Sequence, residues 1–211
     1  ARWNVGLRWY LAAAALLLSP LLIALVYIAL GHPTPGLRAG WTIPLLLVQV
    51  FRELFNGPAS EEAGWRGFAL PRLQTRYNAL VSSLLLGVIW TFWHLPLFYL
   101  AGTAQVSMPM PIFLLLNATL AVYLTWLYNN TRGSLIVCVL AHFSSNLAGT
   151  LIPGPLNLMP AMTFYMTAGP GLFLLTVGVV AYFGPRRLSR RAQAEMPVGE
   201  DEARLGAAGA V

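Results

Sequence analysis

Lysine is absent from this chain of 211 residues, and charge of either sign is scarce. Charged residues make up 9% of the sequence, against about 25% in soluble domains. All thirteen basic residues are arginine. Acidic groups are rarer still: before Glu195 the only ones are Glu53, Glu61 and Glu62. Cys138 is the single cysteine, which excludes an intramolecular disulfide and leaves the redox compartment unread. No internal repeat and no soluble linker interrupts the chain. No H-E-x-x-H, the helix-borne signature of zinc proteases, occurs.

What remains is hydrophobic: 57% of the residues are apolar and the mean hydropathy is +0.66. Such a composition belongs in a membrane. Stretches of about 20 apolar residues are long enough to cross one, and they fall at roughly 8–30, 41–56, 79–100, 110–128, 134–151 and 166–184. The expected fold is therefore all-α, a polytopic membrane bundle of about six transmembrane helices over residues 1–184. Residues 185–211, first basic and then polar and small, are expected to form a disordered tail. Residues 7–30 are too long and too apolar for a simple signal peptide, and no A-x-A site follows. The first residue is Ala rather than Met, which leaves room for further helices upstream.

The formal charge of +6 comes mostly from loops and tail and reports topology rather than affinity for nucleic acid. With the N terminus in the cytoplasm, Arg2, Arg8, Arg72, Arg76, Arg132 and the cluster Arg186, Arg187, Arg190 and Arg191 lie inside, and only Arg38 outside. That matches the positive-inside rule with both termini cytoplasmic. The Arg and Ala bias is what a GC-rich genome produces and points to a bacterial inner membrane. Trp3, Trp9, Trp41 and Tyr128 stand near segment ends, as an interfacial aromatic belt would.

The stretch 41–76 would be about 54 Å long as one helix, too long for a hydrocarbon core of about 30 Å. Asn56-Gly57-Pro58 breaks it. Pro58 then opens a second piece, with Ser60 as an alternative cap, and the glutamates of PASEEAGWRGF occupy its first turn. Glu62 and Arg66, four apart, share a face and can pair, whereas Glu61 points about 100° away. Arg66 would thus orient Glu62 and leave Glu61 facing a water-filled cavity; a carboxylate cap at the membrane surface is the alternative.

Two further polar sets lie inside apolar segments. His94, in Trp90-Thr-Phe-Trp-His94-Leu-Pro96, is costly at membrane depth unless hydrogen-bonded, for which a backbone carbonyl freed by Pro96 would suffice. His142 and Asn146, in LAHFSSNLAG, stack one turn apart on a helix face, where interhelical polar packing is the plainer use. Counting residues brings the sets together. Glu61 precedes the Arg76–Tyr77–Asn78 turn by about 16 residues and His94 follows it by about 16, so both stand about 25 Å from it in an antiparallel hairpin. Asn146 lies about 21 Å from Arg132, another inside loop, and His142 about one turn nearer to it.

The ordered set Glu61-Glu62-x-x-x-Arg66, Trp90-x-x-x-His94 and His142-x-x-x-Asn146 resembles the CPBP family of intramembrane proteases. That family includes the CAAX prenyl endopeptidases and the bacteriocin-immunity-type (ABI) proteins. Its pattern is EExxxR, FxxxH and HxxxN or HxxxD, and the resemblance covers residues 41–151. Trp90 stands where Phe is usual, a change that bears on packing. The resemblance implies an intramembrane endopeptidase in which Glu61 and His94 activate water, Glu62 and Arg66 support them, and His142 with Asn146 binds the developing oxyanion. A carboxylate is a competent base and preset N–H donors stabilise an oxyanion, so the residues permit this chemistry. The family is often labelled metalloprotease, and Glu61, His94 and His142 could supply three zinc ligands. Asn146 is a poor zinc ligand and a good oxyanion donor, so the reading favours no cofactor. The implied partners are a peptide or membrane-protein substrate and the lipid bilayer. A non-catalytic scaffold of the same fold and a small proton-coupled transporter are the alternatives; the first requires a broken motif, and the second is disfavoured by the lack of a repeated half.

Overall fold

The protein was described as a computed structural model over residues 2–34, 36–55 and 57–190. All regular structure among these residues is helical: α1 (Leu7–Ala29), α2 (Ile43–Phe55), α3 (Pro58–Gly64), α4 (Leu70–Arg76), α5 (Ala79–Trp93), α6 (Met110–Asn130), α7 (Leu135–Leu151) and α8 (Ala161–Phe183). A π-helical turn, Trp65–Ala69, joins α3 to α4, and 3-10 turns occupy Leu95–Tyr99 and Ala104–Ser107.

Four of these segments are long and apolar enough to cross a membrane: α1, α5 with its 3-10 extension (Ala79–Tyr99), α6 and α8, at 21 to 23 residues each. At 1.5 Å per residue they measure about 32–35 Å, the thickness of a hydrocarbon core plus a little. The chain is an integral membrane protein. The other two expected spans are shorter, 17 residues in α7 and 13 in α2. α2 ends where Asn56-Gly57-Pro58 was expected to break the chain; Asn56 itself lies outside the described residues.

α7 sits at the centre, against α1, α2, α3 and α6, while α5 pairs most closely with α6. Small residues make these approaches possible, as membrane bundles require in the absence of a hydrophobic driving force between helices. Ala13 and Ala24 of α1 and Ala141 and Ala148 of α7 are buried. At Gly87 of α5 a Cβ would stand 2.6 Å from the Cα of Ala118 on α6, so no larger residue fits without parting the helices. Large aliphatic side chains point outward instead: Leu11, Leu18 and Leu22 of α1 and Leu174 of α8 are exposed, as lipid-facing residues are.

Two expectations need correction. Trp9 and Tyr128 are not belt residues. Both are buried in the core with Leu124, Leu127 and Val137, and Trp9 stacks edge-on against Trp126 at 5.4 Å. Trp3, by contrast, is 69% exposed. Residues 185–190, part of the expected tail, are also held against the bundle. The amides of Ala79 and Leu80 bond the carbonyls of Arg186 and Pro185, and the side-chain amides of Asn129 and Asn130 bond those of Arg187 and Leu188, both at 2.8 Å. Free helix-end N–H groups and two buried asparagines thus tie residues 185–190 to the bundle. The rest of the expected tail, 191–211, lies outside the described residues.

Candidate active site

The site begins in the first turns of a helix that runs on through a π turn to Arg76. Pro58 stands at the first helical position of α3, where its missing N–H costs nothing. Glu61 and Glu62 follow within the first turns. The chain then widens into the π turn Trp65–Ala69, which carries Arg66. Pro71, with no N–H to give, comes two residues later, and such backbone defects are where helices bulge.

Glu62 and Arg66 are both fully buried and form the expected pair, with Arg66 Nη1 donating to Glu62 Oε1 at 2.8 Å. The same carboxylate oxygen also accepts from Nδ1 of His142 on α7, at 2.9 Å. Glu62 therefore couples Arg66 to α7. The guanidinium also lies over the Trp90 ring, 4.9 Å from its centroid, a cation–π placement. Among the described residues, Nε and Nη2 of Arg66 and Oε2 of Glu62 have no hydrogen-bond partner.

Glu61 is partly exposed and has a partner of its own. The indole Nε1–H of Trp90 donates to its Oε2 at 2.7 Å. Its other oxygen, Oε1, lies 3.0 Å from the point where Gly57 would carry a Cβ, and Asn146 Nδ2 lies 3.7 Å from the same point. Glu61 and Asn146 thus both border the space that a side chain at Gly57 would fill. The carboxylate was expected to face a cavity unassisted; instead it is held by Trp90. It meets α5 at Trp90, one turn before His94. The π turn fits more residues into each turn, so Glu61 stands nearer the Arg76–Asn78 loop than a uniform helix would place it.

His94 is partly buried at the end of α5, with Nδ1 2.8 Å from the carbonyl oxygen of Trp90. A carbonyl can only accept, so Nδ1 carries the hydrogen and Nε2 of the neutral ring offers a lone pair. His142, 3% exposed, uses its Nδ1 on the Glu62 carboxylate, which leaves Nε2 for the site. Its ring meets Trp90 edge-on at 4.9 Å. Trp90, 1% exposed, touches all three sequence sets. It was read for its bulk alone; the signal that could have singled it out is its place four residues before His94, on the same face.

Trp90, His94, His142 and Asn146 line a cavity of about 1520 Å³ that also has apolar walls from α1, α6 and α8, including Leu16, Ile23, Leu116 and Phe164. Glu61 does not itself line it, but its neighbours Trp90 and Asn146 do. Arg38, Arg52 and Glu53 border the cavity as well, none of them anticipated as site residues. Glu53 is held by Gln49 at 2.7 Å and Thr150 at 3.0 Å. Among the described residues no three His, Cys, Asp or Glu gather into a metal-binding group. The trio Glu61, His94 and His142 is not gathered into such a group, although Glu61 Oε1 and Nε2 of each histidine are left free by the bonds that their other atoms make.

A family model described as Type II CAAX prenyl endopeptidase Rce1-like matches residues 43–148. That span contains Glu61, Glu62, Arg66, Trp90, His94, His142 and Asn146. The chain is also 32% identical over 116 residues to CAAX prenyl protease 2 of Methanococcus maripaludis, a match covering 52% of this chain and 41% of the relative. The chain therefore spans about two fifths of that relative's length. With the family model covering half of the sequence and every motif within it, the chain belongs to the Type II CAAX prenyl endopeptidase Rce1-like family.

Proposed function

We propose that the protein is a membrane-embedded endopeptidase that hydrolyses a peptide bond with water activated by Glu61 and His94, without a metal. The observation that carries this reading is that Trp90, His94, His142 and Asn146, from α5 and α7, line one partly apolar cavity, with the Glu61 carboxylate bonded to the Trp90 indole. A water between Glu61 Oε1 and His94 Nε2 loses a proton to Glu61 as its oxygen attacks the peptide carbonyl. The oxyanion takes hydrogen bonds from Asn146 Nδ2 and from an N–H at Nε2 of His142, whose ring Glu62 orients through Nδ1. Glu61 then returns the proton to the departing amine as the C–N bond breaks.

Arg66 and Glu62 do no bond chemistry in this scheme; they hold His142. The substrate is a peptide or membrane-protein segment, and the apolar walls suit one that carries a hydrocarbon chain. The relative's name, CAAX prenyl protease 2, makes a prenylated C-terminal peptide the first substrate to offer. Both termini are cytoplasmic in this proposal, which the arginine distribution supports.

The test uses the full chain in proteoliposomes with farnesylated and unmodified peptides ending in a cysteine-aliphatic-aliphatic-X sequence, read by mass spectrometry. Wild type cleaves and Glu61→Gln does not, while the variant inserts and unfolds like wild type. Full activity in Glu61→Gln removes the assigned base. Solute movement across the vesicles with no peptide cleaved would favour a transporter instead.

A further inference from the structure

We propose that Trp90 is a positioning residue that fixes the Glu61 carboxylate through its indole N–H, a proposal that rests on the endopeptidase reading above. An indole has one hydrogen-bond donor, and here that donor goes to Glu61 Oε2 at 2.7 Å. The carboxylate oxygens are thereby made unequal. Oε2 is committed to Trp90, and Oε1, beside Gly57 and Asn146, is the oxygen that takes the proton from water.

The indole is itself fixed from several sides. Its ring is 1% exposed, with Arg66 over it at 4.9 Å, His142 edge-on at 4.9 Å and Trp65 tilted against it at 6.5 Å. The carbonyl of the same residue holds His94 by Nδ1 at 2.8 Å. One residue therefore sets the angle of the acid and of the imidazole that share the water. Phenylalanine at position 90 would keep the ring contacts and lose the donor to Glu61. The His94 bond, which runs through the backbone, would be unchanged.

This division gives a sharp test in the full chain. Trp90→Phe should lower kcat by about ten- to a hundredfold, the loss expected when a charge-assisted hydrogen bond orienting a base is removed. KM should stay within about twofold, since the donor does not touch substrate. The second readout is spectroscopic and independent of activity. In protein labelled with ¹⁵N at the indoles, the resonance assigned to residue 90 by its loss in Trp90→Phe, or in Trp90→Tyr where the first variant fails to fold, should move in Glu61→Gln. Trp90→Phe with wild-type kcat, or a residue-90 resonance unmoved in Glu61→Gln, overturns the proposal. If wild type cleaves nothing yet the resonance moves, the bond stands and the endopeptidase reading falls. If Glu61→Gln is dead while Trp90→Phe is fully active, the reading stands and the positioning role falls.

Discussion

Glu62→Ala should destabilise the bundle far more than Glu61→Gln, although the two glutamates are adjacent. Glu62 and Arg66 are both fully buried and 2.8 Å apart. Two unit charges about 4 Å apart attract by about 4 kcal/mol at an effective dielectric constant near 20. Removing one partner strands the other, which costs about 3–5 kcal/mol, and His142 loses its acceptor as well. Typical domains are stable by only about 5–15 kcal/mol, so the loss is a large share of the total. Cys138, the only cysteine and fully buried, provides the assay: a thiol-reactive dye reports unfolding in detergent as the midpoint of a thermal ramp. Arg66→Met should show a smaller loss, because Glu62 keeps its bond from His142. The double variant Glu62→Ala/Arg66→Met should be less destabilised than the two single losses combined, by about 0.5–3 kcal/mol, because no Arg66 guanidinium is left buried without its carboxylate. Single variants each within about 0.5 kcal/mol of wild type, as for an ordinary surface change, or losses that simply add, would refute the pairing argument.

Three other outcomes are expected. Gly57→Ala places a Cβ 3.0 Å from Glu61 Oε1; shifting that oxygen should cost about tenfold to a hundredfold in kcat, with an unchanged unfolding midpoint, as measured by peptide hydrolysis and the Cys138 dye. Gly87→Ala drives a Cβ into the backbone of Ala118 at 2.6 Å, so it should destabilise by about 1–3 kcal/mol, seen as a lower midpoint in the same thermal ramp. It should also reduce activity, because Trp90 and His94 lie one and two turns further along α5. Exhaustive chelation should leave peptide cleavage intact with sub-stoichiometric zinc by elemental analysis; activity lost on chelation and restored by zinc alone would establish the metalloenzyme instead.

The helical class and the break before Pro58 were legible because apolar runs and Gly-Pro punctuation are local signals. The Glu62–Arg66 pair was legible for the same reason, being one helical turn long. Contacts between helices were legible only to the level of depth. Residue counting placed Glu61 near the α5 polar set, but the π turn shortened one arm and the partner proved to be Trp90. The bond from His142 to Glu62 had no local signal at all: 80 residues separate them, and nothing in either motif names the other. Trp9 and Tyr128 misled because an aromatic near the end of a span reads the same in sequence whether it faces lipid headgroups or a neighbouring helix.

The Glu62–His142 bond changes what the adjacent carboxylates mean. Residues i and i+1 of a helix diverge by about 100°, which makes them poor partners for each other and good anchors for two different neighbours. Glu61 reaches α5 through Trp90, and Glu62 reaches α7 through His142. The first turns of a helix that runs unbroken from Pro58 through the π turn to Arg76 are thereby fastened on two sides, to α5 and to α7. A carboxylate pair spaced four apart would present both groups to one helix and leave the other loose. The adjacency in PASEEAGWRGF is thus a geometric requirement of a site shared among three helices. Moving Glu62 to a position on the same face as Glu61 would break the contact with α7 even though the composition of the motif is unchanged.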